Sequence, residues 1–267
     1  MRAVLGGTIY LTSAALGVLA FLYPFVMFSR AVAVGGEVSG QEASLVTATL
    51  VALAMIGVLL EAQGQAMNAR TVAALGILVA ITAVLRFFAL MVPGLGGFSP
   101  MFAPILLTGY VFGGRFGFLM GAFSFLVSAL ITGGVGPWLP YQMFASAWIG
   151  MTAGWLGTAL GRHRGSVPGI GLLCALGFIW GLLFGAVMNL YFWPFAMGPV
   201  DQSWVPGPAF IEGVKRYAVF YVTTSLWWDL ARSIGNVVLL LLIGPAMIRA
   251  LDRFRRRFAF QVAIVRA

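Results

Sequence analysis

Two apolar runs, Met101–Phe112 and Phe116–Ile131, are parted by nothing more than Gly113-Gly114-Arg115. A third run begins after Gly133-Gly134-Val135-Gly136-Pro137-Trp138. Glycine permits φ > 0 and tight chain reversal. Arg115 marks the first reversal as a membrane surface, because an unpaired Arg in hydrocarbon costs about 2.5–3.5 kcal/mol on insertion scales. The stretch Ser99–Gln142 therefore reads as a tight helical hairpin followed by a Gly/Pro/aromatic turn.

The rest of the chain has the same character. Of its 267 residues, 61% are hydrophobic and 9% charged, against about 25% charged in soluble domains. The predicted fold is all-α, a polytopic transmembrane helical bundle. The net charge of +9 reports topology and contact with the anionic lipid bilayer. A nucleic-acid partner would need a folded basic domain, for which there is no room. The only lysine, Lys215, is followed by Arg216, so no phosphate-cradling G-x-x-x-x-G-K-[ST] loop exists. His163 is the only histidine and Cys174 the only cysteine. The acids Glu37, Glu42, Glu61, Asp201, Glu212, Asp229 and Asp252 are scattered. The expectation is no catalytic residue, no metal site and no cofactor in this chain.

Taken in order, apolar spans are predicted at Gly6–Phe28, Ala43–Leu60 and Thr71–Val92, then the short helices Ser99–Phe112 and Phe116–Thr132. Both short helices are near or below the roughly 20 residues of a full span, so spanning and partly re-entrant readings stay open. Leu139–Leu160, Pro168–Trp193 and a long helix Arg216–Ile248 follow, with a polar loop over Ala196–Lys215. Gly6–Phe28 also resembles a signal peptide, but its apolar run exceeds the 7–15 residues of a signal core. The polar segment Glu61–Arg70 divides residues 1–62, a two-helix N-terminal extension, from residues 71–248, a six-helix core. Residues 249–267 read as a basic amphipathic tail, either lying on anionic lipid or docking a partner.

Eight spans place both termini on one side. That side carries eleven arginines: Arg2, Arg70, Arg115, Arg162, Arg164, Arg249, Arg253, Arg255, Arg256, Arg257 and Arg266. The other carries Arg30, Lys215 and Arg216. The positive-inside bias predicts cytoplasmic termini in a cell (plasma) membrane protein.

Arg86, Asp229 and Arg232 are the intramembrane charges. Such groups usually face a bundle interior and pair with one another. Asp229 and Arg232 stand i, i+3 on one helix, so they read either as a self-neutralising pair or as a polar patch at the base of a solute pocket. Arg86 lies about 9 Å from the outer end of its helix, and Asp229 is deeper, about 18 Å below Tyr217 by the same rise. Asn189 and Asn236 are further buried amides. Trp138 and Gln142 in one turn region, and Asn189 and Tyr191 in another, combine rings with amides at helix ends. Apolar walls with a few placed polar groups suit a small-molecule pocket, although an aromatic belt at the headgroups accounts for part of the same pattern. Gly76 and Ala80, extended by Ala73 and Ala83, form a small-residue face for close helix contact, within this subunit or with another.

Pro104–Phe118, Ser128–Trp138, Gln142 and Ala145–Gly154, together with Trp228–Asn236 before the arginine-rich tail, resemble the substrate-binding S components of energy-coupling factor (ECF) vitamin importers. The resemblance implies a six-helix core with cytoplasmic termini and a vitamin-like substrate bound near the outer face. It also implies partnership with a T subunit and two cytoplasmic ATPase subunits, ATP being used by those partners. In that family an Ala-x-x-x-Ala face on the first core helix meets the T subunit; here Gly76-x-x-x-Ala80 stands in its place. The two extra N-terminal helices depart from the pattern. The alternative is a self-contained secondary transporter or channel, which would need inverted repeats and a coupling carboxylate, with Asp229 the only candidate. A directly His-chelated metal ion as solute is disfavoured by the single loop histidine.

Overall fold

A computed structural model of the chain describes residues 69–91, 96–196, 198–205 and 210–259, with positions 17–19, 21, 22, 25, 49, 52 and 56. The two predicted N-terminal spans, and the tail beyond residue 259, lie outside the described residues apart from those positions. The described residues are helical with no strand: α1 Ala69–Met91, α2 Phe102–Phe112, α3 Gly114–Thr132, α4 Leu139–Leu160, α5 Val167–Phe192, α6 Phe210–Thr224 and α7 Leu226–Ala259. Single 3₁₀ turns sit at Gly161–Gly165 and Trp193–Phe195. Four of the described segments, Ala69–Met91, Gly114–Thr132, Val167–Phe195 and Leu226–Arg256, are long and apolar enough to cross a membrane. At 11 residues, α2 extends about 16 Å and falls short of a bilayer core of about 30 Å.

The hairpin predicted from the glycines is present. Gly113 joins α2 to α3 at φ 101°, and Gly133 caps α3 in the left-handed region at φ 67°. Both are conformations that side chains beyond glycine rarely adopt. Proline in the first turn of α4 and of α5 costs no hydrogen bond there, and Ser166 caps α5 by accepting from the Gly169 N–H.

Helices α3 and α4 pack backbone to backbone. A Cβ on Gly117 would strike the Gly150 carbonyl, one on Gly150 would strike the Gly117 carbonyl, and one on Gly121 would strike the Ser146 carbonyl. Ser146 Oγ donates across this seam to Gly121 O at 3.0 Å. Close approach through small residues is how helices associate where lipid offers no hydrophobic drive. α1 packs on α3, α2 on α4 and α7, and α5 on α7.

One end of the bundle gathers the arginines. Arg164 and Arg255 both donate to Val111 O at 2.9 Å, and Asp252 lies 3.9 Å from Arg164 and 3.4 Å from Arg255. Burial and the nearby Arg255 push the Arg164 guanidinium pKa down, while Asp252 and Tyr110 push it up. A cleft of about 260 Å³ opens there between Thr71, Ala74, Phe112, Arg115, Phe116, Phe254 and Arg255.

Four details differ from the sequence reading. The helix expected over Arg216–Ile248 is interrupted at Ser225, and α6 starts at Phe210 inside the expected loop. Hydroxyl chemistry accompanies the break: Ser225 Oγ accepts from Asn189 Nδ2 at 2.7 Å, and Thr223 and Thr224 bond back to earlier carbonyls, competing with the helical ladder. Beyond the break α7 continues through Ala259, so residues 249–259 prolong the last helix. Ala83 is fully buried and so belongs to the inward side of α1, not to the small-residue face of Gly76 and Ala80.

Candidate solute-binding site

Asp229 is the buried centre of the end opposite the arginines. Its side chain is 1% exposed and pairs with the Arg232 guanidinium one turn along α7. The sequence of α5 makes room for it. Gly177, Gly181 and Gly185 repeat every fourth residue and so share one helix face. A Cβ on Gly185 would strike the Asp229 carboxylate, and one on Gly181 would strike Ser233. Asn236 follows on the same stripe, donating to Gly177 O at 3.0 Å. The glycines expose carbonyls as well as space: Arg232 donates to Gly181 O at 3.2 Å.

The bend at Ser225 brings two tyrosines to this site. Tyr217 O–H donates to Ala186 O, one residue from Gly185, and Tyr221 O–H makes a long 3.4 Å bond to Leu182 O. Tyr221 also lies beside the Asp229 carboxylate, whose Oδ2 has no hydrogen-bond partner of acceptable geometry. A straight helix would hold Tyr217 about 18 Å away; the bend removes that separation.

Three phenylalanines connect Arg86 to this pair. Phe102 and Phe184 meet edge to face at 4.9 Å, Phe125 and Phe184 stack at 5.6 Å, and Phe102 and Phe125 stand 6.1 Å apart. Arg86 of α1 lies over the Phe125 ring at 4.5 Å. Arg232 lies over Phe184 at 5.2 Å and over Phe102 at 5.8 Å. The ring faces attract both cations. The three intramembrane charges therefore border one aromatic cluster, an arrangement built from α1, α2, α3, α5 and α7.

Six buried polar atoms without a hydrogen-bond partner lie on the helices that meet at this cluster or pack beside it. Beside Asp229 Oδ2 they include Arg86 Nη1, Ser124 Oγ, Ser128 Oγ, Gln142 Oε1 and Asn236 Oδ1. The α3–α4 register places several of them together. With Ser146 bonded to Gly121 and Gly150 against Gly117, Gln142 of α4 stands level with Phe125 of α3, and hence with Arg86.

The remaining predicted residues fall into two groups. Tyr191 is buried against Tyr141, ring centroids 4.1 Å apart, and Asn189 is tied to Ser225 as above. Trp138 is 45% exposed, its indole N–H donating to Gly134 O within its own turn, and it is not drawn into the cluster. Gly76 and Ala80 are exposed on α1, and a Cβ on Gly76 would meet nothing within 4 Å. Among the described residues, Phe21 packs edge-on to Tyr141 at 4.9 Å, and Phe25 lies between Trp193 and Trp204 at 6.0 and 5.7 Å. The cleft at the arginine-rich end, lined by Ala74 two residues before Gly76, includes none of the aromatic cluster. No group of three or more His, Cys, Asp or Glu side chains that could hold a metal occurs among the described residues.

Phe102, Phe125, Phe184 and the α5 glycines were not singled out by sequence reasoning. The Gly-x-x-x-Gly-x-x-x-Gly spacing of residues 177–185 was the signal available for the glycines; the phenylalanines carried none, being three of 22.

Comparison with protein families matches residues 70–244 to the substrate-specific component of ECF transporters. Comparison with curated proteins and with solved structures finds no match.

Proposed function

This chain belongs to the family of ECF transporter substrate-specific components, and from that premise we propose that it captures a vitamin-like small molecule at the cell surface for import. The chain is a transporter subunit of an all-helical membrane type, not an enzyme. In the proposed orientation the arginine-rich end faces the cytoplasm, with both termini, as the positive-inside bias favours. The Asp229–Phe184–Arg86 region then lies in the outer half of the plasma membrane.

The observation that carries the proposal is the gathering of orphaned polar atoms around three phenylalanines. Buried polar groups in proteins are nearly always hydrogen-bonded, and a pocket for a small molecule combines apolar walls with a few placed polar groups. Arg86, Gln142, Asp229 and Asn236 supply those groups, and Phe102, Phe125 and Phe184 supply apolar surface. Tyr141 and Tyr191 add a buried ring pair on α4 and α5, toward Trp193. Energy for uptake comes in this reading from a T subunit and two ATPases, which suits a sequence without a phosphate-binding loop. Gly76 and Ala80 offer those partners a smooth face on α1.

The test is a tagged pull-down from native membranes, cross-linked before solubilisation, with mass spectrometry of proteins and small molecules. Recovery of a T-type subunit with two ATPases, together with a bound solute, supports the proposal. Recovery of this chain alone, with transport in proteoliposomes lacking any ATPase, would replace it by a self-contained transporter using Asp229.

A further inference from the structure

Arg86 is the one intramembrane charge that the described residues leave without a counter-charge. Its Nη1 is buried and finds no acceptor there; its one close neighbour of note is the Phe125 ring. The carboxylates on the described helices are engaged elsewhere. Asp229 holds Arg232, Glu212 holds Arg216 at 3.2 Å, and Asp252 serves Arg164 and Arg255. Asp201 lies in the turn before α6. A guanidinium stays protonated in proteins, so burial does not let it discharge. A ring face attracts the cation but takes none of its five N–H donors and neutralises no charge.

We infer that the transported solute is an anion, and that Arg86 receives its carboxylate or phosphate group. This rests on the reading that the outer half of the bundle binds solute. The planar donor fork of arginine matches a carboxylate or phosphate with two parallel hydrogen bonds, which no neutral acceptor matches in strength. The same level of the bundle presents Gln142 Oε1 and the hydroxyls of Ser124 and Ser128, all buried without partners. Gln142 Oε1 is an acceptor only, so it takes an N–H or O–H donor from the solute. Phe125 and Phe102 supply apolar surface next to these groups. The class is a small anion with an apolar body and at least one hydrogen-bond donor. Arg232, already neutralised by Asp229, does not make this demand.

The experiment uses the full chain purified from native membranes. Molecules released on denaturation are identified by mass spectrometry in both ion modes. Affinity is then measured by titration for the released molecule and its uncharged amide or ester. Where nothing is released, the probes are biotin and biotinamide, pantothenate and pantothenol, and nicotinate and nicotinamide. The acid should bind about thirtyfold or more tightly than its neutral counterpart. In Arg86→Gln that ratio should fall to about threefold or less, with a thermal melt in detergent near that of the wild type showing the protein still folded; Arg86→Lys should retain an intermediate ratio.

A released solute that is neutral or cationic overturns the inference and leaves the importer reading standing. So does an acid–amide ratio near one, or a ratio unchanged in Arg86→Gln. Release of an acidic phospholipid alone assigns Arg86 to a lipid headgroup and likewise overturns it. Failure to release or bind anything overturns the solute-binding reading and this inference together.

Discussion

Along α3 and α4, glycine brings backbone onto backbone; where α5 meets α7 at Gly185, glycine stands opposite a polar side chain. Gly117 and Gly150 face each other's carbonyls, and the helices between them admit no adjustment except separation. Gly185 instead faces the Asp229 carboxylate, which rotates about side-chain bonds, while Gly181 meets both the hydroxyl and the backbone of Ser233. The two seams share a sequence spacing and differ in what lies across it. The first fixes the register that sets Gln142 level with Phe125. The second opens the interior wide enough to hold a charged pair beside three aromatic rings.

Substituting one glycine in each seam separates these roles. Gly150→Ala drives a methyl group into the Gly117 backbone, and also deprives Gly109 of its close contact, since a Cβ at Gly109 would itself meet the Gly150 carbonyl. Overpacking typically costs about 1–3 kcal/mol, and this site belongs at or above the top of that range because only backbone can move. The expected outcome is loss of monodisperse protein after extraction, read by size-exclusion chromatography and a thermal melt in detergent. A normal melt for this variant would mean that the α3–α4 seam yields. Gly185→Ala meets the Asp229 carboxylate, which can turn away. The expected destabilisation is about 1–2 kcal/mol, accompanied by at least about tenfold weaker solute binding as the charged pair is displaced. Intact binding in Gly185→Ala would detach Asp229 from the solute site and leave it a purely structural ion pair.

How much of this was legible beforehand depended on how local the cause was. Gly113 and Gly133 announced the hairpin because their positive φ values are demanded by the turns themselves. Leu139–Leu160 was bounded correctly at both ends by the preceding Gly/Pro turn and the following Gly161. The break at Ser225 was not legible, because Thr223-Thr224-Ser225 contains neither glycine nor proline, and what engages Ser225 is Asn189, 36 positions away in sequence. The pairing of Asp229 with Arg232 followed from i, i+3 spacing. That Arg86 borders the same cluster required α1, α3 and α5 to be placed together, since the link runs through Phe125 and Phe184. Trp138 stands apart from that cluster, its indole N–H donating to Gly134 O within its own turn.

Ser146→Ala probes the first seam more gently than Gly150→Ala. It removes the donation to Gly121 O while the accompanying bonds to Gln142 O and Met143 O are lost within α4. Interhelical hydrogen bonds in membranes are worth about 0.6 kcal/mol on average, so a shift of that size in unfolding free energy, with solute binding unchanged, is expected from denaturant titration. A loss several times larger would show that this one hydroxyl, and not glycine contact alone, sets the α3–α4 register.

The smallest effect on stability is expected on the small-residue face of α1, which packs against neither seam. Gly76 has open space where a Cβ would stand, and exposed Ala80 lies one turn further along α1. Leucine at position 76 improves helix propensity by about 1 kcal/mol or less and clashes with nothing described in this subunit. Gly76→Leu should therefore melt at or slightly above the wild-type temperature and bind solute equally well. If the α1 face serves the partner subunits, uptake in cells should nevertheless fall, and co-purification of the T subunit with it. Normal uptake would remove that face from the partner contact. A lowered melt would place a neighbour from within the chain against Gly76. The three small-residue faces would then separate by what lies opposite the substituted glycine: backbone at Gly150, a movable carboxylate at Gly185, and another subunit at Gly76.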